Sequence, residues 1–268
     1  MADDRQFSSD AEGLMAVLRR LRAPDGCPWD RAQTRHTLTR HLAGECAELI
    51  DAIDREDPPA ICDEAGDVLM NVFLQILIAE ERGEFTLTDV WKNEIAKMIR
   101  RHAHIFGDAC ASTPGEVTEL WEKIKQRERA DKPAPESVLD DVPHYLSALA
   151  RAEKLQKKAA KTGFDWSDES GVLDKIREEV EELARAMTEK DAEAVDEELG
   201  DLLFAAVNLA RFRDREDAES LLRRACRKFE RRFRYIEKNL KAAGESPETA
   251  GLDRMEALWQ AAKTGEKE

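Results

Sequence analysis

Apolar residues recur three and four positions apart along most of this chain, and the β-branched alternation of strands is scarce. Stretches such as "IAKMIRRHAHIF", "LLRRACRKFERRFRYIEKNL" and "LDRMEALWQAAK" mix good helix formers with that spacing and predict amphipathic helices. Breakers fall between them: "RAPDGCPWD", "REDPPA", "ASTPGE", "DKPAPESVLDDVP" and "AAGESPETAG". The pattern predicts an all-α protein. The segment around residues 129–143 holds three prolines and lacks helical periodicity until its end, so it is expected to link two domains, 1–128 and 144–268.

The two halves resemble each other. "ECAELIDAI" at 45–53 pairs with "EVEELARAM" at 179–187, and "EAGDVL" at 64–69 pairs with "ELGDLL" at 198–203. Glu45, Glu48, Glu64 and Asp67 recur 134 positions later as Glu179, Glu182, Glu198 and Asp201. Acids fill 57 of 268 positions, so acids alone would be weak evidence. The same offset also matches Leu49 with Leu183, Ala52 with Ala186, Gly66 with Gly200 and Leu69 with Leu203. With small shifts, Trp29 answers Trp166, Lys97/Arg101 answers Lys228/Arg232, and Trp121/Lys125 answers Trp259/Lys263. The expectation is a tandem of two helical-bundle domains.

Helical geometry sorts the crowded acids of "EEVEEL" at 178–183. Ile176, Val180, Leu183 and Met187 form one stripe, expected to face the core. Glu179 and Glu182 flank it, whereas Glu178 and Glu181 point away. In the following segment Leu199, Leu202, Ala206 and Leu209 form the expected core stripe, flanked by Glu198 and Asp201. A short loop at "TEKDAEA" allows an antiparallel hairpin that brings four carboxylates together. Such a group stays ionised only beside cations, and hard carboxylate oxygens suit Mg²⁺ or Mn²⁺. No Glu-x-x-His occurs, which argues against a ferritin-like di-iron bundle. The bland alternative, solvent-facing acids, loses ground because the whole pattern is repeated.

Composition narrows the partners. The formal charge of −15 disfavours a broad basic surface for nucleic acid or an anionic membrane. Five scattered cysteines without a CxxC pair are expected to be reduced thiols in a cytoplasmic protein. No transmembrane stretch or signal-like start is visible. Lys228 and Arg232, and likewise Trp259 and Lys263, are four apart and could present cations and a ring to phosphates and a base. A charged surface and a core tryptophan explain them equally well. Asn208, seven residues after Asp201, shares its general side and could hydrogen-bond a base.

The order "GCPWDRAQT", "ECAELIDAI", "EAGDVL", "RRHAHIF", "LDDVPHYLSALARAEKLQKKAAKTGFDW", "EEVEEL", "EELGDLLFAAVNLAR", "KFERRFR" and "LWQ" resembles the MazG family of nucleoside triphosphate pyrophosphohydrolases over nearly the whole chain. The ExxE–ExxD pattern alone would specify only the broader all-α pyrophosphohydrolase superfamily. The resemblance implies tandem all-α domains, a homodimer, and Mg²⁺-dependent hydrolysis of NTPs and dNTPs to monophosphate and pyrophosphate, with Mn²⁺ as a substitute. It implies Glu179, Glu182, Glu198 and Asp201 as metal ligands, and Lys228, Arg232, Trp259 and Lys263 as nucleotide contacts. The family usually opens its first motif with two adjacent acids, as Glu178-Glu179 does. The first copy has Gly44-Glu45, and Leu74 where the second has Asn208. Catalysis is therefore expected in residues 144–268. Residues 1–128 are expected to be structural or regulatory, with Glu45, Glu48, Glu64 and Asp67 as a less certain second metal site. A narrow house-cleaning pyrophosphatase and a non-catalytic nucleotide-responsive module are the alternatives.

Overall fold

The computed structural model describes residues 7–130, 135–213 and 215–265. Among these there are thirteen helices and no strand. The chain separates into two compact units, Met1–Pro133 and Ala134–Glu268. The linker expected at 129–143 lies partly outside the described residues. Its described part begins as the end of a helix reaching Ala130 and finishes in turns that bury Val142.

The first unit comprises α1 (Ala11–Arg22), α2 (Pro28–Ala32), α3 (Arg35–Asp54), α4 (Pro58–Glu81), α5 (Leu87–Arg101), α6 (Ala103–Phe106) and α7 (Pro114–Ala130). Its core gathers Met15 and Leu18 of α1, Leu38 of α3, and Phe73, Leu74, Ile76, Leu77 and Ile78 of α4. The second unit comprises α8 (Ala148–Ala160), α9 (Glu169–Glu189), α10 (Ala192–Arg213), α11 (Ala218–Ala242), α12 (Pro247–Ala250) and α13 (Leu252–Gly265). Two smaller clusters hold it together: Val207, Ala210 and Ala218, and Ile236, Leu240 and Leu258. Buried Glu153 of α8 accepts the backbone N–H of Ala218 at 3.0 Å, which satisfies a donor in the first turn of α11.

Each unit is organised around a helical hairpin, α3–α4 or α9–α10, and the two turns are built alike. Glu56 and Lys190, 134 residues apart, are the two non-glycine residues with positive φ among the described residues, at 54° and 61°. The N–H of the next residue, Asp57 or Asp191, donates to the carbonyl of buried Ala52 or Ala186 at 3.2 Å, the 6→1 bond of a Schellman-type end. The same aspartate then accepts a backbone N–H in the first turn of the following helix, from Ala60 or Ala194.

One expectation about the hairpin holds only in part. Val180 and Met187, expected inside, are 48% and 63% exposed, and Leu199 is 46% exposed. Val172, Glu179 and Ala186 are the buried residues of α9, and Ala205, Val207 and Ala210 those of α10. Ile176, Leu183, Leu202 and Leu209 of the expected stripes are half-buried, so within the second unit the apolar stripe is enclosed only in part. The face centred on Glu179 is the one packed within the chain.

Candidate metal centre

The hairpin aligns the acidic residues without help from loops. Glu179 and Glu182 lie one turn apart on α9, and Glu198 projects from the antiparallel α10. One carboxylate oxygen from each of these three lies within 4.8 Å of the others. Glu179 is 3% exposed, Glu182 and Glu198 are half-buried, and Glu178 and Glu181 are exposed. Asp201 lies outside the tight triad and is exposed, though its charge is among those acting on Glu198. Burial, and then the charges of Glu182, Glu179 and Asp201, raise the Glu198 carboxyl above its ordinary value.

The first unit repeats the geometry. Glu45, Glu48 and Glu64 bring their oxygens within the same 4.8 Å, with Asp67 again outside the triad. Glu64 is raised by burial and by the charges of Glu48, Asp63, Asp67 and Glu45. Like-charged carboxylates at this separation, partly withdrawn from water, suit a divalent cation with oxygen ligands. The donor set fits one in both units.

A side chain of the acidic cluster that the spacing argument passed over is Lys175, one turn before Glu179. Its ammonium lies 2.7 Å from Glu179 and 3.1 Å from Glu178, and these carboxylates raise its pKa. The i, i+4 spacing of lysine and glutamate was the available signal. The first unit has His41 at the equivalent position, where its ring packs edge-on against Trp29.

The expected nucleotide contacts occupy α11 and α13, which pack together, and α11 also packs on α10. The Arg232 guanidinium lies over the Trp259 ring, 5.4 Å from its centroid, and Phe229 lies 5.3 Å from the same ring. Trp259 is half-buried beside Ile236, Leu240 and Leu258, so it serves as both a packing residue and a platform for Arg232. Lys228 is exposed and Lys263 half-buried. In the first unit the matching Arg101 is bound to Glu128 at 2.7 Å, and the matching Trp121 packs edge-on against His102. Asn208 is half-buried and its carbonyl oxygen accepts from Nε of Arg211 at 2.8 Å.

Comparison with known proteins agrees with this arrangement. Residues 33–106 and 168–236 each match the MazG nucleotide pyrophosphohydrolase domain, and each match contains one of the hairpins. The chain is 41% identical to the nucleoside triphosphate pyrophosphohydrolase/pyrophosphatase MazG of Thermotoga maritima over 256 residues, 96% of either chain. It is 43% identical to the nucleoside triphosphate pyrophosphohydrolase of Escherichia coli K12, covering 94% of this chain and 97% of that one. It is also 44% identical to the uncharacterized protein YabN of Bacillus subtilis, covering 51% of that longer protein. With both hairpins matched and full-length relatives at this identity, the chain belongs to the MazG nucleotide pyrophosphohydrolase family.

Proposed function

We propose that this protein hydrolyses nucleoside triphosphates, both ribo- and deoxyribo-, to the monophosphate and pyrophosphate. The observation that carries this is the meeting of Glu179, Glu182 and Glu198 on the matched hairpin. The reaction adds water across one phosphoanhydride bond, so the chain needs to gather negative charge, orient the phosphates and admit one water molecule. Glu179, Glu182, Glu198 and Asp201 would hold Mg²⁺, or Mn²⁺ in its place. A divalent cation bound there supplies charge for the phosphate oxygens and acidity for water. Lys228, Arg232 and Lys263 add positive charge for the remaining phosphate oxygens, and Trp259 offers a face for base or ribose. The Lys175 ammonium, 2.7 Å from the buried Glu179 carboxylate, offsets its charge inside the bundle.

The second unit, residues 144–268, is assigned the catalysis, and 1–128 an assembly or regulatory role, joined through 129–143. The supporting contrasts are Lys175 against His41, Asn208 against Leu74, and Glu178 against Gly44. The working form is a homodimer, since the hairpin displays Val180, Met187, Leu199 and Leu203 to solvent, and five scattered cysteines without a CxxC pair fit the cytoplasm. Among the described residues no helix is long and apolar enough to cross a membrane.

Pyrophosphate release from dGTP with Mg²⁺, measured for Glu182→Gln and Glu48→Gln, tests the assignment. The first substitution is expected to lower kcat at least about a hundredfold by removing a ligand's charge. The second is expected to keep most of the activity. Full activity in Glu182→Gln, or equal loss in both, overturns it.

A further inference from the structure

Asn208 differs from two other helical asparagines of this chain. Asn71 and Asn239 donate their amide hydrogens back to the carbonyl four residues earlier, that of Asp67 at 3.0 Å and Tyr235 at 2.7 Å. Asn208 does not. Its Oδ1 accepts from Arg211 Nε, and among the described residues its Nδ2 donates to none. Arginine has donors and no acceptor, so the amide has one orientation beside it: oxygen toward Arg211, the NH₂ turned away.

Arg211 is itself held on several sides. Nη1 donates to Asp165 Oδ2 at 3.0 Å, Nη2 donates to Asp165 Oδ1, and the guanidinium lies 4.5 Å from the centroid of the Phe212 ring. Asp165 belongs to the loop between α8 and α9 and also accepts the N–H of Trp166 at 3.0 Å. The Trp166 ring in turn lies against Gly171 in α9, where an added Cβ would come within 2.9 Å of the ring. The Arg211 side chain is 11% exposed and that of Asp165 27%, so solvent competes little for the bidentate pair. The chain Trp166–Asp165–Arg211–Asn208 thus runs from the start of α9 to the last third of α10.

The two copies differ at both members of the pair together. The positions 134 residues earlier are Leu74 and Leu77, 1% and 4% exposed in the first unit's core. Packing alone is therefore satisfied by two leucines on this hairpin, and the asparagine–arginine pair belongs to the second unit. Seven residues separate Asn208 from Asp201, which places them on nearly the same face and about 10 Å apart along α10. That is about the reach from the phosphates of a nucleotide to its nucleoside.

We infer that Arg211 is a positioning residue that locks Asn208 as a hydrogen-bond donor to an acceptor on the nucleoside of the substrate, a base carbonyl or ring nitrogen or a ribose oxygen. This rests on the triphosphate reading of the carboxylate site and adds to it the polarity of the group that meets the nucleoside. A loosened Asn208 would rotate and offer oxygen as readily as NH₂, which weakens binding and leaves the phosphates' contacts in place.

A double-mutant cycle in the full-length protein tests this, using dGTP turnover and, independently, calorimetric binding of a nonhydrolysable α,β-methylene nucleotide with Mg²⁺. Arg211→Met is expected to raise KM and the analogue's Kd about fivefold to tenfold, the worth of one neutral hydrogen bond, while kcat falls less than about threefold. Asn208→Ala is expected to give a similar rise, and adding Arg211→Met to it no further rise. Arg211→Lys, which keeps the charge beside Asp165 without the fork, is expected to fall between wild type and Arg211→Met. If Arg211→Met weakens binding equally with and without Asn208, or lowers kcat alone, the positioning role is refuted while the hydrolase stands. A wild-type protein that turns over no triphosphate removes both.

Discussion

Glu128 shows how one carboxylate of the first unit gathers two guanidinium groups. It accepts from Arg100 Nε at 2.7 Å and from Arg101 Nη2 at 2.7 Å, and these two guanidinium groups hold its carboxyl down to about 2. Arg101 is the residue that answers Arg232 of the second unit. A carboxyl lowered on folding stabilises the native state fully above its ordinary value of 4.5, and that contribution disappears as pH falls toward 2. Glu128→Gln is therefore expected to lower Tm near pH 6 and to match wild type near pH 2, measured as Tm against pH. A gap that stays constant across this window contradicts the ion pair. At this scale the sequence located the three glutamates that meet, because i, i+3 spacing puts two on one turn, and it also counted Asp201, which lies outside the triad. Lys175 and Arg211 were harder to see, since their partners depend on rotamers and, for Arg211, on a loop forty-six residues away.

At the scale of elements, the hairpin turns carry the repeat as clearly as the acids do. Glu56 and Lys190 adopt left-handed backbone at the same point, each followed by an aspartate that closes one helix and starts the next. A side chain in that conformation is strained by Cβ, and glycine removes the strain at some cost in unfolded-state entropy. Lys190→Gly is expected to raise stability by about 0.5–1 kcal/mol in urea unfolding. A loss of stability would mean that the Lys190 side chain holds the turn. Sequence periodicity found these helices and their pairing, and it found a real apolar stripe on α9. It placed the centre of the buried face wrongly, because the chain encloses Val172, Glu179 and Ala186 and leaves Val180 and Met187 of the stripe exposed.

At the scale of the molecule, the exposed apolar residues of this hairpin have to be accounted for. Leu173, Val180 and Met187 on α9 and Leu199, Leu203 and Phe204 on α10 are all at least 38% exposed. Large apolar side chains in such number on one hairpin are the mark of an interface, and a symmetric dimer can cover the same hairpin from both chains. Sedimentation velocity at micromolar concentration is expected to show a dimer, and Leu203→Glu to shift the protein toward monomer. A monomeric wild type at about 50 μM, far above the affinity of a stable interface, would remove the homodimer from the proposal.

Taken alone, the sequence determined that the chain is helical, that it says one thing twice, and which carboxylates share a turn. Those are local properties, set by residue type and by the 100° step of the helix, so they survive without knowledge of the fold. The tertiary structure decided what a periodicity cannot: the rotation of each helix about its own axis against its neighbours. That rotation buried Glu179 beside Lys175, turned Val180 outward, and set Arg211 between Asp165 and Asn208. A helix with two usable faces leaves this choice to packing, where the neighbours' shapes and charges select which face is enclosed.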